Sequence, residues 1–169
     1  KLTEAMANLA SNIDIVFLGN GLLNGDRIYR TLEKVSTTIC QEMPVAENLT
    51  MGVAIGLALR KARPVVIFQR MDFMLIASDA IINHLALMPK MSGGQFNLPV
   101  IIRCIVGSQS KKFDVGPQHQ KDFSNLFEPY VKVVRLKDGI DISQAYKDAY
   151  NSTEPTMLVE YKDSYGNEV

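Results

Sequence analysis

The sequence lacks several features that would point directly to a partner. Lys and Arg together number 18, as do Asp and Glu, so the chain has no net charge. Proteins that bind nucleic acids cluster Lys and Arg against the phosphates, and we see no such basic stripe. Apolar runs also stay shorter than the roughly 18 residues that a membrane-spanning helix needs. We therefore expect neither a nucleic acid nor a membrane as the partner.

Cysteine is scarce as well. The only two, Cys40 and Cys104, each lie in an apolar, strand-like run without a CxxC pattern or a Cys/His neighbour. This spacing does not suit a metal or redox site, and we predict no metal ligands in the chain. Disulfides are rare in the cytosol, so we interpret both residues as reduced core residues of a cytoplasmic protein.

What the sequence does have is a regular alternation of short Val- and Ile-rich runs with helical patterns. Apolar residues make up 47% of 169 residues, enough for one domain with a sizeable core. Strands are predicted at 14–18, 37–41, 64–68, 99–106, 131–136 and 156–161, and helices at about 1–11, 27–35, 46–62, 73–90, 119–128 and 142–151. Asp141 is predicted to cap the last helix. This order predicts an α/β fold: a single three-layer domain, with a six-stranded, mainly parallel sheet and helices on both faces.

The loops after the strands are the places to look for a site, because parallel sheets bind ligands at the carboxyl ends of their strands. These loops are 19–26, 42–48, 69–73 and 107–119. The first of them is rich in glycine.

Gly19, Gly21 and Gly25 give GxGxxxG, close to the GxGxxG dinucleotide fingerprint, and Glu42 ends the second strand where a ribose-binding acid would lie. Against this, a helix is predicted before the first strand, and Asn-Gly-Asp is typical of a plain turn. A nucleotide site and a loop that needs positive φ both remain open, and the residues favour the loop.

The stretch MPVAENLTMGVAIGLALRKARPVVIF, residues 43–68, places one carboxylate, Glu47, at the start of an almost wholly apolar helix. A helix without a polar face is expected to be buried on nearly all sides. An acid in a first turn is often there only because the helix dipole favours it. In apolar surroundings it can instead act as a proton shuttle. Gly52 and Gly56 leave a bare stripe on the same helix, which is typical of tight packing such as a subunit interface.

The ordered series VAEN, GVAIGLAL, RPVV, SDAIINHLA, MSGG, LPVIIR and GPQH resembles the pyrimidine-binding domain of thiamine-diphosphate enzymes. The pattern is most similar to the beta subunit of pyruvate dehydrogenase and related 2-oxo acid dehydrogenases. The resemblance runs from about residue 37 to the end, and more loosely from residue 1. It implies the thiamine-diphosphate-binding fold and leaves little room for the dinucleotide interpretation.

The resemblance also implies roles for residues at matching positions. Glu47 matches the glutamate that hydrogen-bonds the ring nitrogen of the cofactor's aminopyrimidine, and Phe73 matches the aromatic residue that stacks on this ring. Gln69 and Met71 share that loop and are expected near the ring. His119 matches the histidine near the reacting carbon, which helps to bind the 2-oxo acid or handles acyl transfer. Without the resemblance, the local sequence would predict that Phe73 is one more core residue and that His119 is a solvated loop residue.

Two loops depart from the family pattern. Asn20 lies between two glycines where the family usually has an acidic residue, and SQSKKFD replaces a glycine-rich stretch before the Gln-His pair. Lys111 and Lys112 in this second loop would either meet an anionic substrate group or be solvated surface, and the residues favour solvated surface. These departures leave the substrate and the usual acyl transfer open.

The GDG-then-Asn pattern that holds magnesium and the diphosphate in this superfamily is missing from the sequence. We therefore expect residues 1–169 to form one pyrimidine-binding domain, with no diphosphate domain and no C-terminal transketolase domain. The resemblance implies a heterotetramer with an alpha-like diphosphate-domain chain, which would hold Mg²⁺ and share the thiamine diphosphate.

The implied reaction is decarboxylation of a 2-oxo acid, followed by transfer or oxidation of the acyl unit. One alternative is a split transketolase-like carboligase of a specialised pathway. Another is a non-catalytic structural or regulatory partner domain.

Overall fold

The computed structural model describes residues 1–108, 118–137 and 139–165, and a six-stranded sheet forms its centre. The strands are β1 Ile15–Gly19, β2 Cys40–Glu42, β3 Arg63–Phe68, β4 Ile101–Val106, β5 Lys132–Arg135 and β6 Thr156–Tyr161. They lie in the order β2-β1-β3-β4-β6-β5, and every pairing between neighbours in this sheet is parallel. The predicted α/β fold class is confirmed.

Helices cover both faces of the sheet. They are α1 Leu2–Ala10, α2 Glu47–Leu59, α3 Met71–Met74, a π-helix at Ala80–Ala86, α4 Met88–Met91 and α5 Ile142–Asn151. Helices α1 and α5 pack on one face, and α2 and the π-helix pack on the other. Among the described helices, none combines the length and the apolarity needed to cross a bilayer.

Strand β4 shows why the strands read as unbroken apolar runs. All six of its residues are buried. Ile102 and Cys104 join the core under α2, whereas Ile101 and Ile105 join the core under α1 and α5. Successive side chains of a strand point to opposite faces, so a strand covered on both faces needs apolar residues at nearly every position. The exception in β4 is Arg103, which is paired with Glu160 on β6.

The cap of α5 forms as predicted. The Asp141 carboxylate accepts the backbone N–H of Gln144 at 3.0 Å, which satisfies one of the free donors in the first turn of the helix. Tyr146 and Ala149 then face the core.

Several element predictions were wrong in their local conformation. The helix expected at 27–35 is a series of turns, because residues 27–30 all have φ between 46° and 66°, which a right-handed helix excludes. The helix expected at 119–128 shrinks to a 3₁₀ turn at Ser124–Leu126, and the strand expected at 37–41 begins only at Cys40. Ile28 and Phe127 are nevertheless 2% and 1% exposed. The apolar residues in these segments therefore predicted that the positions are buried, but not their backbone conformation.

Two further helix predictions need correction. The long helix expected at 73–90 divides into α3, a 3₁₀ turn, the π-helix and α4, with Pro89 in the first turn of α4. Helix α2 was expected to be buried on nearly all sides, yet within this chain one stripe of it faces solvent. Its exposed residues include Leu49, Gly52, Gly56 and Leu59.

Candidate cofactor-binding site

A cleft of about 260 Å³ lies at the carboxyl ends of β1 and β3. Its lining comes from the end of β1, from the loop before α2 with the first turn of that helix, and from the segment that joins β3 to α3. The lining residues are Gly19, Asn20, Pro44, Val45, Glu47, Thr50, Ile67, Phe68, Gln69 and Phe73. Three of the four loops predicted to carry the site therefore meet here.

Glu47 is the first residue of α2, and its half-buried side chain lines the cleft. No hydrogen bond or ion pair to this carboxylate occurs within the described residues. The hydroxyl of Thr50, one turn along, donates to the carbonyl of Ala46 at 3.1 Å. The backbone of α2 therefore positions Glu47 at the cleft, and its carboxylate remains available to a ligand.

Gln69 joins two of the loops that form the cleft. Its Nε2 donates to the carbonyl of Asn20 at 2.5 Å, and the side chain of Asn20 donates to the carbonyl of Met43 at 3.2 Å. Gly21, with φ of 83°, packs so closely on Gln69 that the side-chain amide of Gln69 would have to shift to admit a Cβ there. The loops after β1, β2 and β3 thus support one another around the cleft.

Glu42 has a different role from the one a nucleotide site would require. Its carboxylate accepts the backbone N–H groups of Gly21, Leu22 and Leu23 at 2.5, 2.8 and 2.8 Å. The acid that would bind a ribose is therefore used to hold the glycine loop. Gly21 has positive φ, and Gly25 does as well, at 63°, which confirms the interpretation of this segment as a loop that needs glycine.

His119 lies beside the cleft through its contact with Phe73. The Phe73 side chain is 39% exposed, and the two rings meet edge-on with their centroids 5.1 Å apart. The backbone N–H of His119 donates to Oδ1 of Asp72 at 3.3 Å, and its carbonyl lies against Gly107 where a Cβ would clash. Nδ1 of His119 and Oδ2 of Asp72 are buried and have no hydrogen-bond partner in the described residues. Buried polar atoms without partners are unusual and are often found at functional sites.

Met71 is the predicted cofactor contact that does not line the cleft. Its side chain is fully buried in the core beneath α2, and its sulfur accepts the backbone N–H of Phe123 at 2.9 Å. A cofactor contact by Met71 therefore stays a prediction without support from the cleft. Lys111 and Lys112 fall outside the described residues.

Sequence analysis did not single out Asp72 or Thr50, and it noted Asn20 only as a departure from a pattern. All three lie in or next to loops that were expected to carry the site. The roles of Asn20 and Asp72 depend on partners from other loops, namely Met43 and His119, respectively. Local sequence patterns do not report these contacts.

The parallel sheet defines an α/β protein with a candidate ligand-binding cleft at the carboxyl edge of the sheet. A family model described as "Transketolase, pyrimidine binding domain" matches residues 2–168. The chain belongs to this family.

The relatives that it matches include subunits of larger enzymes. The chain is 31% identical over 122 residues to the pyruvate dehydrogenase E1 component subunit beta of Cyanidium caldarium, which covers 71% of this chain and 36% of the relative. It is 33% identical over 129 residues to the acetoin:2,6-dichlorophenolindophenol oxidoreductase subunit beta of Cupriavidus necator, over 75% of this chain and 37% of the relative. The chain thus spans little more than a third of the length of these relatives.

Solved structures show the same fold. A structure described as a split gene transketolase, inactive beta4 tetramer, superimposes with a TM-score of 0.72. The two chains are 21% identical, and the match covers 95% of this chain and 50% of the other.

Proposed function

We propose that this chain is the pyrimidine-domain subunit of a heteromeric thiamine-diphosphate enzyme that decarboxylates a 2-oxo acid and transfers or oxidises the resulting acyl unit. The observation that carries the proposal is the cleft itself, which brings Glu47, Gln69 and Phe73 together. The names of the relatives support the same class of reaction.

The cleft suits one ring of a cofactor better than a whole molecule. Its volume of about 260 Å³ lies just below the range of roughly 300–1,000 Å³ typical of pockets that enclose a complete small ligand. An aminopyrimidine ring needs a carboxyl group beside its ring nitrogen and an apolar or aromatic surface against its face. Glu47 offers the first, and Phe73 with Val45 and Ile67 offers the second.

Thiamine diphosphate, when bound, supplies the carbon nucleophile and the electron sink for decarboxylation. The chain's own residues orient this chemistry. The Glu47 carboxyl group would hold the proton at the ring nitrogen of the aminopyrimidine. The ring of Phe73 would stack on the aminopyrimidine ring. The imidazole of His119 binds the 2-oxo acid or handles the acyl unit, and Asp72 holds the backbone of His119 in place.

A partner chain would supply the remainder of the site. Within the described residues, no group of three or more His, Cys, Asp or Glu side chains could hold a metal ion. We propose that an alpha-like diphosphate-domain chain holds Mg²⁺ and the diphosphate. The apolar stripe of α2, with Gly52 and Gly56 at its centre, fits an obligate interface in a heterotetramer. A cytoplasmic location is also proposed, since Cys40 and Cys104 are both free thiols.

The test is an assay of this chain together with its diphosphate-domain partner. CO₂ release would be measured from a panel of 2-oxo acids, with and without thiamine diphosphate and Mg²⁺, for the wild type and Glu47→Gln. The exposed Glu154→Gln is the matched control. We expect activity to need both chains and to fall about a hundredfold or more in Glu47→Gln, the usual effect of losing a proton-transfer group.

Three other outcomes would contradict the proposal. Undiminished activity in Glu47→Gln would show that Glu47 takes no part in the reaction. Transfer of a two-carbon unit from a ketose, without CO₂ release, would indicate a split transketolase-like carboligase. Stable association with no turnover of any donor would indicate a non-catalytic partner domain.

A further inference from the structure

Two positively charged side chains lie over one aromatic ring at the carboxyl edge of the sheet. The guanidinium carbon of Arg70 is 5.3 Å from the ring centroid of Tyr29, and Nζ of Lys162 is 3.6 Å from the same centroid. Arg70 follows β3, Lys162 follows β6, and Tyr29 belongs to the loop after β1. None of the three lines the cleft that contains Glu47.

Within the described residues, this Arg70–Lys162 pair has no acidic partner. Arg70 donates to the carbonyl of Gln69 at 2.8 Å and contacts the hydroxyl of Tyr29. In the part of the chain that the structure describes, neither cation forms an ion pair. Asp26 and Asp72 lie close enough for their charges to act on Lys162 and Arg70, respectively, but neither carboxylate forms an ion pair with these cations. The two carboxylates accept the backbone N–H groups of Tyr29 and His119, respectively.

The two cations are held together at an electrostatic cost. Burial lowers the pKa of the Arg70 guanidinium, and burial together with the charge of Arg70 lowers the pKa of the Lys162 ammonium. A cation over a Tyr ring is attracted by the face of the ring, but this contact does not neutralise its charge. An anion bound between the two side chains would attract both and so offset the repulsion between their positive charges.

There is also room for the remainder of a ligand. A cavity of about 240 Å³ adjoins the ring of Tyr29, and its lining includes Thr31, Ser164 and Tyr165. This lining combines hydroxyl groups with aromatic surface. The cavity and the cation pair share Tyr29, so one small molecule can contact both.

We propose that Arg70 and Lys162 bind the phosphate group of a small molecule whose remainder occupies the cavity beside Tyr29. Two positive charges match the two negative charges of a phosphate monoester. A guanidinium group donates two parallel hydrogen bonds to such an oxyanion, and an ammonium group adds a second point charge. The position at the carboxyl ends of β3 and β6 is where parallel sheets bind ligands.

This phosphate site goes beyond the proposed function and does not depend on it. The connection between the two sites is Gln69, whose side chain lines the cleft and whose carbonyl accepts from Arg70. Phosphate binding can be measured without the cofactor, so the two proposals can fail independently.

The test is a calorimetric titration of the purified protein at low ionic strength, because salt screens partly exposed charges. The probes are inorganic phosphate and, as a carboxylate, acetate. Arg70→Gln and Lys162→Gln would be compared with the double variant Arg60→Gln/Lys90→Gln, which removes two exposed charges elsewhere. We expect phosphate to bind more tightly than acetate, and each site variant to weaken phosphate binding about tenfold or more. The control variant should bind phosphate like the wild type.

The proposal is overturned if phosphate does not bind, if acetate binds equally well, or if the control variant loses as much affinity as the site variants. Arg70 packs on Tyr29, so Arg70→Gln is first checked by circular dichroism. If it is not folded, Lys162→Gln and Arg70→Lys provide the same comparison. Arg70→Lys keeps the charge but loses the paired hydrogen bonds, and its phosphate affinity should still fall.

Discussion

Arg103 on β4 and Glu160 on β6 form a two-pronged ion pair inside the core. The Nε–Oε1 and Nη2–Oε2 distances are 2.8 and 2.9 Å, and the side chains are 0% and 2% exposed. The hydroxyls of Tyr146 and Tyr165 donate to the same carboxylate. Burial disfavours the charge on Arg103, but Glu160, Tyr165 and Tyr146 together outweigh burial and hold the pKa of this guanidinium well above its usual range. The two strands are therefore joined by a buried side-chain network as well as by their backbone pairing.

Removing one partner of this pair should be strongly destabilising. Arg103→Met leaves the charge of Glu160 buried without compensation, and we expect a loss of about 3–5 kcal/mol in the free energy of unfolding. Urea denaturation would measure it. The double variant Arg103→Met/Glu160→Gln removes both charges and keeps an acceptor for the tyrosines, so it should recover part of the loss. A double variant less stable than the single one would contradict this account.

The same network predicts sensitivity to alkaline pH. Burial, followed by the negative charge of Glu160, raises the pKa of Tyr146 and of Tyr165 well above the usual value. Above about pH 10, where tyrosines of the unfolded chain lose protons, the folded state keeps more protons than the unfolded state. The free energy of unfolding should therefore be unaffected by these groups below pH 10 and fall as the pH rises beyond it.

Urea denaturation between pH 8 and about pH 11.5 would show this fall. The double variant Tyr146→Phe/Tyr165→Phe should show a shallower slope, whereas Tyr130→Phe, which alters an exposed ring, should keep the wild-type slope. Equal slopes in all three proteins would mean that the buried hydroxyls do not cause the effect.

Gly52 and Gly56 allow the interface to be tested separately from the stability of the chain. A Cβ at either position meets no atom within 4 Å, and a glycine inside a helix costs about 0.8–1 kcal/mol relative to alanine. Gly52→Ala should therefore make the isolated chain more stable by up to this amount, as measured by urea denaturation. It should also weaken association with the partner chain, because the added methyl group lies on the exposed stripe of α2.

Ser143→Ala, on the exposed surface of α5, is the control for a simple gain in helix propensity. It should leave association with the partner unchanged. If Gly52→Ala stabilises the chain and binds its partner as tightly as the wild type, this stripe is not the interface.

Gly107 should be essential for the position of His119. Its α-hydrogen faces the carbonyl of His119, and a Cβ there would overlap this oxygen. Gly107→Ala should displace His119 and destabilise the chain. The chain has only two histidines, His84 and His119, so their ring signals can be resolved by NMR and assigned with His84→Gln.

We expect Gly107→Ala to shift the signal of His119 and to leave that of His84 in place. Ser143→Ala on α5, which packs on the opposite face of the sheet from the π-helix that carries His84, should move neither. An unchanged His119 signal in Gly107→Ala would show that the loop accommodates the methyl group without moving the ring.

The sequence by itself determined the layered α/β fold, because β4 and the other central strands are mostly apolar on both faces and α5 carries its own cap at Asp141. It also placed Glu47, Gln69 and Phe73 in loops that meet at one edge of the sheet. These features depend on short-range patterns, namely the period of apolar residues and the chemistry of helix ends.

Only the tertiary structure decided the rest. The turn at Arg27–Arg30 replaced a predicted helix because burial of Ile28 can be achieved in more than one backbone conformation. Met71 is buried in the core, although Gln69 and Phe73 on the same segment line the cleft. Helix α2 has an exposed stripe, which its almost wholly apolar sequence did not indicate. Arg103 and Glu160, which are 57 positions apart, become partners only because β4 and β6 lie side by side. Contacts of this kind depend on which strands pair, and local sequence patterns do not encode that choice.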